Sequence, residues 1–255
     1  MPGDFREGMV KKQLGGVETI ILVLSGKGGV GKSVVSASIA AILADQGLAV
    51  GLMDADIYGP SSAILFGAHL RPVETKAGLV PPVMRGVKVM SVDLFAPGMP
   101  VPLTGRGAGD VVKEMLALTS WGRLDYLVVD MPPATADITL LFTSLRREGL
   151  AALVVTTSDR LSLTVAHRMM QILRGGKVPV SGVLGNMHRP SGTGADGPER
   201  LAREFRVPFL GELPYDPSVP QAAGSGSVGK LVGTRFGRAL RRAAKERLGP
   251  EAGRA

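Results

Sequence analysis

The sequence predicts an α/β protein built on a doubly wound, mostly parallel sheet flanked by helices. Three observations predict it. Short apolar runs rich in Val, Ile and Leu recur along the chain, as strands buried on both faces require. Segments with apolar residues at helical spacing separate them. Gly- and Pro-rich turns punctuate the junctions. Alternation of this kind covers both faces of a parallel sheet with helices.

Residues 1–17 read as a polar lead-in. Thr19–Leu24 (TIILVL) is the first strand, and a Gly-rich turn follows it. The next helix, over about Lys32–Asp45, carries Val35, Ile39 and Ile42 on one face and stops at Gly47. Further strands are predicted at 48–54, 87–94, 124–130, 150–156, 178–185 and 207–211. Helices are predicted near 108–119, 137–148, 161–174, 198–205 and 234–248. Pro and Gly clusters at 78–86, 97–109 and 188–198 read as loops. No stretch has the composition of a domain linker. Residues 1–255 are therefore expected to form one domain, closing with a basic helix and tail over 234–255.

Composition narrows the classes. Aromatic residues make up only 4%, so the core must rest on aliphatic side chains and Met. The chain has no cysteine, which excludes disulfides, thiolate zinc sites and Cys-ligated iron–sulfur clusters on it. No signal-like apolar core opens the chain and no run of 18 apolar residues occurs, so a cytoplasmic protein is expected. The net charge of +8 admits anionic partners. The basic residues are dispersed rather than blocked, which favours a solvated basic surface.

Ser25–Ser33 (SGKGGVGKS) contains G-x-x-x-x-G-K-[ST] between a predicted strand and a predicted helix. That places Gly26, Lys27, Gly28, Gly29, Val30, Gly31, Lys32, Ser33 and Val34 around a bound phosphate chain. Glycines let the backbone wrap phosphate, and the helix N-terminus adds positive potential. Lys32 is expected at the β- and γ-phosphates and Ser33 at Mg²⁺. Lys27 is an added cation, able to serve its own phosphate site or that of a facing subunit.

Three acids complete the candidate site. Asp54 and Asp56 end the second strand, where ligands of open α/β sheets bind. Asp54 is expected near the metal, and Asp56 to orient or activate the attacking water. Asp130 ends LDYLVVD, as a Walker B acid does, and is expected close to Mg²⁺. The following loop, Met131–Asp137, is a candidate γ-phosphate sensor, with Asp137 read as the cap of the next helix.

With these residues in place, the chain resembles the Mrp/Nbp branch of the MinD/ParA-like P-loop ATPases over about residues 15–232. SGKGGVGKS (25–33) resembles their deviant Walker A loop with its signature lysine, here Lys27. MDADIYGPS (53–61) is a more specific match, and GVKVMSV (86–92) agrees as well. WGRLDYLVVDMPPATAD (121–137), VPVSGVLGNM (178–187) and VPFLGELPYDPSV (207–219) resemble later family segments. The resemblance implies a P-loop NTPase fold, ATP with Mg²⁺, and a homodimer in which the signature lysine contacts the partner's nucleotide. It implies that Asn186 reads the adenine edge and that Pro214 and Asp216 belong to the loop closing over the base. It also implies a role in carrying or assembling iron–sulfur clusters, on behalf of a client protein that the sequence does not name.

Two departures bear on that role. Where family members carry C-P-x-C, this chain reads Asn186-Met187-His188-Arg189-Pro190-Ser191, and a cluster needs soft thiolates. His188 is read as a solvated loop histidine. In PPATAD, Ala134 and Ala136 replace the family's glycines, and Ala resists positive φ, so slow turnover is expected. The leading expectation is therefore an ATP-hydrolysing homodimer. One alternative is a ParA/MinD-like positioning factor on DNA or membrane. The other is a nucleotide-binding scaffold with negligible turnover. For the basic terminal helix (TRFGRALRRAAKERL), packing on the core is preferred over contact with nucleic acid or membrane.

Overall fold

The computed structural model describes residues 5–99, 107–133, 136–145, 148–189 and 197–247. Its main sheet has eight strands. In chain order the strands among the described residues are β1 (Val17–Leu24), β2 (Val50–Asp54), β3 (Val73–Thr75), β4 (Gly78–Val80), β5 (Val83–Met84), β6 (Val87–Met90), β7 (Leu124–Asp130), β8 (Leu150–Thr156), β9 (Val180–His188) and β10 (Phe209–Pro214). The main sheet runs β10-β9-β8-β1-β7-β2-β6-β5, parallel except for the edge strand β5, while β3 and β4 form a separate antiparallel hairpin.

The helices are α1 (Phe5–Leu14), α2 (Lys32–Ala44), α3 (Ser62–Phe66), α4 (Ala108–Leu118), α5 (Ala136–Leu145), α6 (Arg160–Gly175), α7 (Gly197–Phe205), α8 (Val219–Gly224), α9 (Val228–Gly233) and α10 (Arg235–Arg247). They divide between the two faces of the sheet. Side chains of a strand alternate faces. Ile20, Leu22 and Leu24 of β1 point into one apolar cluster, with α1, α4, α5, α6 and α7. Ile21 and Val23 point into the other, with α2, α3, α8, α9 and α10. Burial on both faces explains why β1, β7 and β8 read as unbroken apolar runs. Gly47, at φ 84, turns the chain out of α2 as expected.

Several expectations need correction. The polar lead-in holds regular structure: residues 5–14 form α1 and Val17 opens β1. Val10 and Leu14, one turn apart, bury against the sheet side of the molecule, and the ion pairs Arg6–Asp110 and Glu7–Lys113 fasten α1 to α4. Two apolar positions are too few to reveal a helix by periodicity. The span 78–86, read as a loop, contains β4 and β5. The span 87–94 is strand only to Met90. The Ser91 hydroxyl then accepts from Asp93 N–H and caps a short 3₁₀ turn, Val92–Leu94. α5 starts at Ala136, one residue before the Asp137 expected to cap it, and Ala134 lies outside the described residues. Much of the predicted loops 97–109 and 188–198 also lies outside them, while β9 extends to His188. The short helices α3, α8 and α9 carry too few residues for a periodic signal.

α10 packs on the core as expected. Phe236, Leu240 and Ala244 are buried beside α2, α9 and β10. Truncating Leu240 to Ala should cost about 2–5 kcal/mol, because it leaves a cavity in a closed cluster. Phe5→Ala, at a side chain 78% exposed, should change stability by less than about 0.5 kcal/mol. Urea denaturation monitored through the buried Trp121 measures both, and equal losses would contradict this packing.

Candidate functional site

β1 ends at the topological switch of the sheet, with β7 on one side and β8 on the other. Ligands of doubly wound sheets bind beyond the carboxyl ends of the strands at such a point. The Gly-rich loop lies there. Gly31 occupies the N-cap position of α2 at φ 81, and no side chain caps the helix. The first-turn amides of α2 are thereby left to an anion, and the helix dipole favours one. Gly29 also has positive φ, at 83, and a Cβ on Gly28 or Gly29 would meet nothing within 4 Å. Lys27, Gly28 and Gly29 are exposed, while Val30 is buried beneath them. Gly26 is tight instead: a Cβ there would lie 2.6 Å from the Val165 backbone of α6.

Behind the loop sits a buried polar cluster. Lys32 Nζ donates to Asp130 Oδ1 at 2.5 Å and approaches Ser33 Oγ at 3.4 Å. Ser36 Oγ donates to the same Asp130 oxygen at 2.9 Å. Asp130 Oδ2 is buried with no hydrogen-bond partner among the described residues. Asp54 and Asp130 are direct neighbours in the β2–β7 register. Asp54 accepts from Ser61 N at 2.8 Å, Ser62 N at 2.9 Å and Asp56 N at 3.1 Å. Burial, and then the nearby Asp130 carboxylate, push the Asp54 carboxyl from 3.8 up to about 7. Asp56 is half-buried, and its carboxylate accepts from Gly59 N at 3.1 Å within its own turn.

A cleft adjoins the loop on the other side of α2. Gly31, Val34, Asn186, Met187, Pro214, Tyr215, Asp216, Val219, Pro220 and Phe236 line it. The expected Val34, Asn186, Pro214 and Asp216 thus meet in one place. Asn186 Nδ2 donates to Val30 O at 2.8 Å, which joins the cleft to the loop. A Cβ on Gly31 would come within 2.5 Å of that same Nδ2, so glycine is required there for contact as well as for φ. The Asp216 carboxylate is already engaged. It accepts from Ser218 N, Ser218 Oγ and Phe236 N, bonds that hold it below the usual carboxylate range.

Sequence reasoning missed several neighbours. Ser36 stands one turn after Lys32, and that spacing was the available signal. Met187, Tyr215, Val219, Pro220 and Phe236 gave none, because β9, the turn after β10, α8 and α10 each deliver part of the lining. Asp159 was also missed. It caps α6, accepting from Ser162 N at 3.0 Å, and its pKa is lowered by Ser162 and Thr157 with help from Lys27. His188 is not a free loop residue: it ends β9 with Nδ1 2.5 Å from Glu212 Oε2.

The donor set suits a nucleotide and a hard cation. Helix-start amides with no side-chain cap, the Lys32 ammonium and a carboxylate oxygen without a partner among the described residues meet at one helix start, and oxygen ligands suit Mg²⁺. Residues 16–246 match the family described as ParA: NUBPL iron-transfer P-loop NTPase. The chain belongs to this family. An iron–sulfur cluster carrier protein of Pseudomonas fragi is 37% identical over 227 residues, covering 84% of this chain and 78% of the relative. The iron–sulfur cluster transfer protein NUBPL of Mus musculus is 36% identical over 231 residues, covering 85% and 72%. A carrier protein of Mycobacterium leprae is 36% identical over 240 residues, covering 88% of this chain but only 62% of the relative, so the chain spans less than two thirds of that protein. Among solved structures, the nucleotide-binding protein of Archaeoglobus fulgidus in complex with ADP aligns at TM-score 0.73 and 31% identity, covering 87% of this chain and 92% of that one. The cell division ATPase MinD of Pyrococcus furiosus, at TM-score 0.67 and 21% identity, shares the fold.

This ParA/NUBPL-family site makes a pH prediction. A carboxyl whose pKa is raised by folding holds its proton more tightly in the native chain than in the unfolded one. The stability from Asp54 is therefore fully present below about pH 3.8 and is lost as the pH rises through about 7. Without magnesium, the urea midpoint should fall across that window more steeply in the parent than in Asp54→Asn. Parallel profiles would contradict the assignment.

Proposed function

We propose that this chain is a magnesium-dependent ATPase. In this reading residues 1–255 act as one P-loop NTPase domain that pairs with a second copy to form a nucleotide-controlled switch in iron–sulfur protein maturation. The observation that carries the reading is the junction of β1 and α2, where open helix-start amides face outward and Lys32, Ser36 and Asp130 interlock behind them.

The roles follow from the geometry. Backbone N–H groups of residues 26–34 cradle the phosphate chain. Lys32 lies within reach of both Asp130 and Ser33, so its ammonium can exchange a carboxylate partner for phosphate oxygens with little motion. Ser33, with Asp54 and Asp130 behind it, would hold Mg²⁺, which supplies charge neutralisation at the β- and γ-phosphate oxygens. Asp56, at the rim, orients the attacking water. Lys27 would reach across to the nucleotide of a facing copy, a role that its exposure supports. The bond from Asn186 Nδ2 to Val30 O uses one of that amide's two N–H groups. Its carbonyl oxygen and second N–H are left to meet a base edge, and adenine is proposed from the family resemblance.

The relatives are named for iron–sulfur carriage, and here the chemistry diverges. This chain has no cysteine to supply thiolates. The residue after Asn186 and Met187 is His188, already paired with Glu212. We infer that any cluster in its cycle is held by cysteines of a client protein, and that nucleotide state governs the encounter. Slow turnover is proposed from Ala136 and its neighbour Ala134, where Ala limits backbone freedom.

Three measurements test this reading. Lys32→Ala should abolish ATP hydrolysis and weaken ATP binding at least about tenfold, since it removes a charge-assisted contact and leaves Asp130 unpaired. Unchanged turnover would refute the site. Anaerobic reconstitution with iron and sulfide should give no stable cluster absorbance on the chain alone; a stoichiometric cluster would refute the client-held reading. Ala134→Gly/Ala136→Gly should raise turnover, and an unaltered rate would remove those alanines as its cause.

A further inference from the structure

Met187 departs from the pattern of its strand. Neighbouring strand residues point to opposite sides of a sheet, yet Asn186 and Met187, both of β9, line the same cleft. The backbone makes this possible. Met187 sits at φ 57, in the left-handed region, which a bulky side chain enters only at a cost. The turn brings its thioether to the start of α2, where Met187 Cε would lie 3.3 Å from a Cβ on Gly31. Strain of this kind clusters where a ligand is clamped.

Tyr215 is held close by, across the strand pair. Its N–H donates to the carbonyl of His188, the residue after Met187, at 2.8 Å. Its ring is held as well: the Arg189 guanidinium lies 3.9 Å from the ring centroid. Tyr215 lines the cleft and Arg189 does not, so the guanidinium covers the ring from outside it. Of the lining residues only Asn186, Tyr215 and Asp216 carry polar side-chain atoms, and the Asp216 carboxylate is engaged by Ser218 and Phe236. The cleft is therefore a mostly apolar seat with one amide. It joins the phosphate loop through Gly31 and through the bond from Asn186 to Val30. A flat, weakly polar ring suits such a seat, and a further phosphate group does not.

We propose, on the reading of the loop as a nucleoside triphosphate site, that Met187 and Tyr215 together form the stacking seat of a purine base. Arg189 is a positioning residue that acts through Tyr215. A thioether and an aromatic ring supply the polarisable surface on which a base stacks. A two-ring purine covers more of that surface than a one-ring pyrimidine. Asn186 meets the edge of the base, whereas Met187 and Tyr215 meet its faces.

Calorimetric titration of the full chain with ATP, UTP and inorganic tripolyphosphate, each with magnesium, separates the seat from the loop. Tyr215→Ala should weaken ATP binding roughly tenfold to a hundredfold and change tripolyphosphate binding less than about twofold, because only stacking is lost. The parent should prefer ATP to UTP, and Tyr215→Ala should narrow that preference. Tyr215→Phe keeps the ring and should stay near the parent. Arg189→Gln should weaken ATP binding about twofold to fivefold, and Arg189→Lys should restore most of the loss. Met187→Gly should weaken ATP binding about twofold to tenfold. Its melting temperature should nevertheless hold or rise, since glycine adopts positive φ freely. A merely structural role would lower affinity and melting temperature together. The seat is overturned if Tyr215→Ala and Met187→Gly bind ATP as the parent does, if they lose tripolyphosphate equally, or if the parent binds UTP as tightly as ATP. Arg189→Gln matching the parent would remove Arg189 from it. The phosphate loop survives those results as long as the parent binds tripolyphosphate; a parent that binds neither ATP nor tripolyphosphate would overturn both.

Discussion

Lys32 and Asp130 meet at 2.5 Å with both side chains withdrawn from water, and the phosphate loop is tied to the sheet through them. Lys32 starts α2, and Asp130 ends β7, the strand hydrogen-bonded to β1. The pair fixes where the helix begins relative to the strand ends, and so where the loop amides point. Such a pair is an expensive way to hold a helix, because desolvating two charges offsets most of their attraction. An apolar contact would serve stability equally well. What the charged pair adds is an ammonium group at the start of α2, beside the proposed phosphate site, where an anion could compete for it.

The second constraint is the crowding of carboxylates. Parallel register sets Asp54 opposite Asp130, so two acids share one dry corner. The protein divides their partners. Asp54 takes backbone amides from the turn before α3, and Asp130 takes Lys32 and Ser36. One oxygen of Asp130 is left over, and the Asp54 proton is held up to about pH 7. Both are costs to the fold. Both would be relieved by the divalent cation proposed for this site, whose charge would favour the ionised form of Asp54 and for which the spare Asp130 oxygen would be a ligand. Strain of this kind is expected at a binding site and has no use in a merely structural corner.

Much of this was legible in the sequence. β7 and β8 fall where their apolar runs place them, and α2 begins at the lysine of the motif, because burial on both faces leaves no alternative pattern. α1 was not legible, since ion pairs to α4 replace the apolar stripe that would announce it. The loop motif located one half of the site. The cleft was only partly foreseen: Met187 and Tyr215 flank residues named by resemblance, yet nothing local marks them as lining. Asp216 shows the limit from the other side. The resemblance placed it at the base, and it does line the cleft, but its carboxylate caps the turn into α8 and the start of α10. A motif carries a residue's location more reliably than its hydrogen-bond partners.

That last contact joins the two ends of the molecule. Phe236 both lines the cleft and donates its N–H to Asp216, so the first turn of α10 is part of the cleft wall. The remainder of α10 packs along α2, whose other end opens on the phosphate loop. A nucleotide lying from loop to cleft would therefore touch α2, α8 and α10 together. These are the elements of one face of the sheet, bound to each other through a single apolar cluster. Closely packed elements shift as units rather than deforming. The shared cluster therefore ties the cleft wall to α10 as one packed body, so the packing that closes the apolar face of α10 also sets the shape of the cleft.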